Sequence, residues 1–138
     1  MYKHILITLD ATPTDRAIID HVKELAKTMN SDVVLLHVAT GVPAQFNGPD
    51  AAGEEIDEDK AYLDNVQAEF TAAGIPATQE LRYGDPFSEI VKWVERHHCD
   101  LIAMSTHGHR FLGDLLHGAT ASRVQHHVTM PVLLIRAH

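Results

Sequence analysis

Cysteine, long apolar runs and positive charge are all scarce in this chain of 138 residues, and each shortage removes a class of protein. The lone cysteine, Cys99, has no partner for an intramolecular disulfide, so a reducing, cytoplasmic setting is expected. No apolar stretch comes near the roughly 18 residues of a membrane span, which argues against membrane insertion. The opening, MYKHILITLDATPTD, holds a short apolar run that ends at Asp10 with no small-residue cleavage site. It reads as a strand and not as a signal peptide. Eleven Lys and Arg stand against nineteen Asp and Glu, a formal charge of −8 with histidine neutral. That balance repels nucleic acid and anionic lipid. Repeats and low-complexity tracts are absent as well.

What remains is an ordinary folded composition, 45% hydrophobic and 22% charged. The length suits one domain over residues 1–138, with a core that needs neither disulfides nor a structural metal. Strand-like and helix-like patterns alternate along it. KHILITL (Lys3–Leu9) and DVVLLHV (Asp32–Val38) are nearly continuous apolar runs, as strands covered on both faces should be. Between them, Thr12-Pro13-Thr14-Asp15 offers an N-cap, a proline at the first helical position and an acid at the third. Ile18, Val22, Leu25 and Met29 then follow at helical spacing.

The stretch from Thr40 to Glu55, rich in Gly, Pro and Ala, predicts a surface loop or flap. Helical spacing resumes at Leu63, Val66, Phe70 and Ala73. ATQELRY (Ala77–Tyr83) alternates as a strand nearer an edge would. Gly84-Asp85-Pro86 turns and caps a helix with Phe87, Ile90, Val91 and Val94 inward. DLIAMS (Asp100–Ser105), a glycine-bearing segment, a helix from about Gly118 to His127 and a last strand PVLLI (Pro131–Ile135) complete the order. Strands separated by helices need crossover connections, so an α/β fold follows: a mainly parallel five-stranded sheet with four helices on its two faces.

Ligands of open parallel sheets bind beyond the carboxyl ends of the strands, where strand order reverses. Asp10, Val38 with Ala39, and Ser105 stand at such ends. Gly108 supplies a flexible turn after the fourth strand, and Gly118 is expected to open a helix whose unpaired N–H groups and dipole attract phosphate. On their own, two glycines at this spacing fit an unliganded loop equally well.

From HILITLD at the start to PVLLIR at the end, the chain resembles a single-domain universal stress protein. Nucleotide-binding members of that family carry Gly-x2-Gly-x9-Gly-Ser/Thr between the fourth strand and the last helix. Here the corresponding residues are Ser105, Gly108, Gly118 and Ala119, followed by Thr120; Gly113 falls in the variable stretch. The resemblance implies a three-layer, Rossmann-like (adenine nucleotide alpha hydrolase-like) sheet in the order 3-2-1-4-5, with its crevice between strands one and four. It implies ATP or a related adenine nucleotide as ligand. Asp10 and Ala11 would lie near ribose and adenine, the Val38 backbone at the adenine edge, and Ser105, Gly108, Gly118, Ala119 and Thr120 around the phosphates. Ser105 departs from the family's first glycine, and Ala119 from its hydroxyl residue. Ala119 keeps its N–H and loses one donor to a charged oxygen, worth about 1.5–3 kcal/mol, so weakened rather than lost binding is expected. Arg110 and Arg123 would bring positive charge to the loop, joined by His107, His109 or His117 when protonated.

Eleven histidines is a high count, and most lie in the C-terminal third. Their spacings fit no zinc pattern, so no dedicated metal site is expected; Mg²⁺ or Mn²⁺ held mostly by a bound triphosphate needs few protein ligands. Glu54, Glu55, Asp57, Glu58 and Asp59 suit the dipole at a helix start. Asp10 could equally cap its own turn. No nucleophile or acid–base constellation is visible, and at most slow ATP hydrolysis is expected. Two classes of function compete. One is an ATP-binding, homodimeric stress-response regulator; the other is an interaction protein whose altered loop binds no nucleotide, its protein partner unknown. A weak ATPase is a third reading. The apolar last strand, Val132–Ile135, would lie at the sheet edge and invite pairing with a second copy.

Overall fold

The computed structural model describes residues 1–40, 48–106 and 114–137, with the side chains of 48–56 and 114–119 outside the description. Five parallel strands form the centre: β1 (His4–Leu9), β2 (Asp32–Ala39), β3 (Ala77–Tyr83), β4 (Leu101–Thr106) and β5 (Val132–Arg136). They lie in the order β3-β2-β1-β4-β5, as the resemblance implies. Four helices connect them: α1 (Arg16–Met29), α2 (Gly48–Ala72), α3 (Pro86–Arg96) and α4 (Asp114–His127). The strand order reverses beside β1, which pairs with β2 on one side and β4 on the other.

Alternation along each strand sends its side chains to two cores. Ile5, Ile7, Leu9, Val33 and Leu35 pack with Ile18 and Val22 of α1 and Leu63, Val66 and Phe70 of α2. Leu6, Leu36, Ile102 and Met104 pack on the other face with Ile90 and Trp93 of α3 and Ala121 and Val124 of α4. Burial on both faces is why β1, β2 and β4 read as apolar runs. The buried stripe of α1 is Ile18, Ile19, Val22 and Ala26, which leaves Leu25 and Met29 half-buried. Cys99 is buried at the foot of β4. No helix among the described residues is long and apolar enough to cross a membrane.

Three local expectations are corrected. The segment Thr40–Glu55 is not all loop, because α2 already begins at Gly48. Pro49 is tolerated there because the first helical turn has no intrahelical use for its N–H. Likewise α4 begins at Asp114, four residues before Gly118, so Gly118, Ala119 and Thr120 lie inside the helix instead of opening it. An aspartate is favoured in a first turn by the helix dipole, whereas an interior glycine costs only about 1 kcal/mol and need not mark a boundary. Finally, Thr12 makes no side-chain cap. Pro13–Asp15 form a short 3-10 turn ahead of α1, and Asp15 turns inward with no exposed surface. The expected cap at α3 is present: the Asp85 carboxylate accepts from the Ser88 amide at 3.0 Å and its hydroxyl at 2.9 Å. These bonds hold Asp85 below the usual carboxylate pKa.

Candidate functional site

A crevice of about 280 Å³ opens beyond the carboxyl ends of β1, β2 and β4. Its walls are Thr8–Ala11, Leu36–Thr40, Met104 and Ser105, with Asp59 from α2, Pro86 and Ile90 from α3 and Thr120 from α4. The volume lies near the lower end of the roughly 300–1,000 Å³ typical of small-molecule sites. Five of the eight expected residues meet here: Asp10, Ala11, Val38, Ser105 and Thr120. Gly118 and Ala119 lie in α4 just before Thr120. Gly108 lies outside the described residues, as do Arg110, Gly113, His107, His109 and the 41–47 part of the expected flap. Arg123 turns to α3, its guanidinium 4.0 Å above the Phe87 ring.

The β1 end is shaped from below. Asp15 accepts hydrogen bonds from the Asp10 amide at 3.0 and 3.1 Å and from the Ala11 amide at 2.9 Å. Tyr62 of α2 donates its hydroxyl to the same carboxylate at 2.6 Å. Ala11 is thereby held at φ 62°, the left-handed region, which costs a residue with a Cβ about 1–2 kcal/mol. Burial pushes the Asp15 carboxyl pKa up, against the lowering effect of its donors. Burial and the Asp15 carboxylate together push the Tyr62 phenol up, so it stays a donor.

Beside β1, His37 is buried and its Nδ1 lies 2.8 Å from the Leu9 carbonyl. A carbonyl only accepts, so Nδ1 carries the proton. Nε2 then points to Asp59, 3.6 Å from Oδ2. On the opposite wall Ser105 is 9% exposed, and its Oγ has no hydrogen-bond partner among the described residues. A buried hydroxyl without a partner costs about 1–3 kcal/mol, which a ligand polar group can recover.

His37, Asp59, Asp15 and Tyr62 are not among the site residues that the sequence suggests. Asp15 looks like a first-turn acid, and Asp59 hides in an acidic run that suits a helix dipole. His37 stands second-last in a strand motif whose period alone would have aimed it at the α1 and α2 face. The other described histidines are dispersed. His4 binds Asp32, His97 stacks on Trp93 and His127 meets the Phe87 edge. Among the described residues, no group of three or more His, Cys, Asp or Glu converges to hold a metal ion.

Residues 1–136 match the universal stress protein family. The chain belongs to that family. Its relatives include universal stress protein A homolog 1 of Coxiella burnetii, 27% identical over 139 residues that cover 97% of this chain and 96% of the relative. Universal stress protein MJ0577 of Methanocaldococcus jannaschii is also 27% identical, over 99% of this chain and 96% of its own length. The solved structure of MJ0577 superposes with a TM-score of 0.83 at 28% identity, covering 100% of this chain and 98% of that one. Two more distant structures share the fold at 18% identity each. One is a universal stress protein in complex with cAMP (TM-score 0.70, covering 97% and 96%). The other is the Archaeoglobus fulgidus universal stress protein in complex with dAMP (TM-score 0.71, covering 97% and 98%).

Proposed function

We propose that this universal stress protein is a stress-response regulator that binds ATP or a related adenine nucleotide in the β1/β4 crevice and works as a cytoplasmic homodimer. The observation that carries the reading is the crevice itself. It lies at the point where strand order reverses, the place where open parallel sheets take ligands. Asp10 and Ala11 face ribose and base, the Val38 backbone meets the adenine edge, and Ser105 and Thr120 offer hydroxyls toward phosphate. The unpartnered Ser105 hydroxyl fits a polar ligand. The cAMP and dAMP complexes of distant relatives support adenine as the base.

Gly108, Gly118 and Ala119 complete the phosphate end in this reading. The start of α4 at Asp114 modifies their part, because amides at 118–120 are positions that an α-helix pairs internally. The amides left free by the helix are those at its first turn, so ATP is held less firmly than by a helix opening at Gly118. Mg²⁺ or Mn²⁺ would arrive with the triphosphate; among the described residues no three His, Cys, Asp or Glu converge to hold one. The same helix start favours the interaction-protein reading as the second choice.

The dimer forms through Val132–Ile135. That strand ends the sheet, and Leu134 is 40% exposed on it. The deciding experiment is mass spectrometry of the purified, denatured protein for bound adenine nucleotide, followed by calorimetric titration with ATP, AMP and adenosine. Binding of none of the three at millimolar concentration rejects the nucleotide reading and leaves the interaction module.

A further inference from the structure

The loop that carries Asp10 and Ala11 is held by side chains that do not line the crevice. Asp15 has no exposed surface, yet its carboxylate takes both amides of that loop. The third donor, the Tyr62 hydroxyl, comes from α2, 47 residues further along the chain. The Tyr62 side chain also lines a separate groove between α1 and α2, with Arg16, Ile19, Val66 and Glu69. One side chain therefore joins α2 to the ligand-facing loop. One helical turn earlier, on the same face of α2, Asp59 stands in the crevice wall beside His37. His37 in turn holds the carbonyl of Leu9, the residue just before that loop. The end of β1 is thus gripped at a carbonyl by His37 and at two successive amides by Asp15, and the second grip leads to α2 through the Tyr62 hydroxyl.

We propose that Asp15 and Tyr62 are positioning residues for the crevice, acting through the amides of Asp10 and Ala11, and that this hydrogen-bond chain makes α2 respond to crevice occupancy. The inference rests on the adenine-nucleotide reading. The left-handed Ala11 is what the grip maintains. With the carboxylate in place both amides turn to Asp15, and Asp10 and Ala11 form part of the crevice wall. Removing the Tyr62 hydroxyl leaves Asp15 with two donors and frees it to shift. Removing the charge of Asp15 leaves one acceptor where two amides and a phenol compete. A ligand that fixes Asp10 and Ala11 tightens the same chain in the other direction, and α2 loses motion at Tyr62.

The test uses the full chain as wild type, Tyr62→Phe and Asp15→Asn. ATP affinity is measured by calorimetry well below the unfolding temperature. Nitrogen-15 spectra follow the Asp10 and Ala11 amides, and hydrogen exchange follows residues 57–72 with and without ATP. Loss of one bond to a charged group predicts about tenfold weaker ATP binding for Tyr62→Phe, and more for Asp15→Asn. Both variants should shift the two amide resonances without ligand. ATP should slow exchange in α2 of the wild type and not of Tyr62→Phe. Loss of stability alone would move neither the affinity nor the two amide resonances at the working temperature. A folded Tyr62→Phe that binds ATP within about twofold of wild type and shows the same α2 protection overturns the proposal. If Asp15→Asn does not fold, Tyr62→Phe alone decides. Should wild type bind neither ATP nor AMP, the nucleotide reading fails separately. The amide shifts then judge the grip: unmoved in Tyr62→Phe they overturn it, moved they support it.

Discussion

His37 faces Asp59 across 3.6 Å while its other ring nitrogen lies 2.8 Å from the Leu9 carbonyl, so the two arms of one imidazole are unequal. The shorter is a hydrogen bond; the longer exceeds hydrogen-bond range. Replacing His37 by Leu therefore removes a buried hydrogen bond and should cost about 0.5–1.5 kcal/mol, read as a fall in urea midpoint. Asp59→Asn should change the midpoint little. Equal losses from the two variants would mean that the Asp59 arm carries weight its length does not suggest.

Asp59 is also a negative charge in a crevice proposed for phosphates. Asp59→Asn should tighten ATP about two- to fivefold at low salt and leave adenosine almost unchanged, because adenosine carries no charge to repel. Calorimetry at two ionic strengths checks this. An equal gain for both ligands would point to reshaping of the wall instead.

Ser105→Ala removes a buried hydroxyl with no described partner. The free protein should be as stable as wild type or more so, by up to about 1–3 kcal/mol, since the desolvation cost goes with the group. ATP affinity should nevertheless fall. A variant that is both less stable and equally tight for ATP would show that the hydroxyl serves the fold and not the ligand.

At the opposite end of the sheet, His4 Nδ1 lies 2.9 Å from both oxygens of Asp32, its register partner in β2. The bond to Asp32 raises the His4 pKa, with Asp100 adding to it. A histidine raised above its unfolded value of about 6.5 stabilises fully below that pH, and the contribution is lost as pH rises through the folded value. The stability difference between wild type and His4→Gln should be widest below the unfolded pKa of about 6.5 and narrow as pH rises above it. The pair is half exposed, so the effect is small. A gap that widens with pH would be the wrong sign.

Leu134→Arg puts a charge on the apolar edge of β5 and should yield monomer at roughly tens of micromolar, where the proposed β5 pairing, if of ordinary size, would hold wild type as a dimer. Sedimentation velocity distinguishes the two. Wild type that is already monomeric would remove the proposed pairing.

The α/β alternation and the inward faces of the helices are legible because buried parallel strands leave long apolar runs, and helices leave a 3.6-residue spacing between them. Asp10, Val38 and Ser105 are found from the same logic, as residues at strand ends. The start of α4 is not legible, since Gly118 looks like a boundary while Asp114 carries the weaker but decisive preference for a first turn. Nor is the Asp15–Tyr62 contact, which joins residues 47 positions apart and depends on which way a turn acid points. Local pattern describes elements; it does not describe what one element's side chain reaches on another.

Cys99 is 6% exposed, and burial with nearby Asp100 pushes its thiol pKa up to about 11. As the chain's sole cysteine, it gives the folded protein no native thiolate for maleimide or iodoacetamide to find at neutral pH. A second cysteine placed at half-exposed Tyr83, at the end of β3 on the far edge of the sheet from β5, would be the single addressable point for a dye. Native Cys99 could then stay in place while fluorescence reports on the proposed pairing and on the proposed ligand.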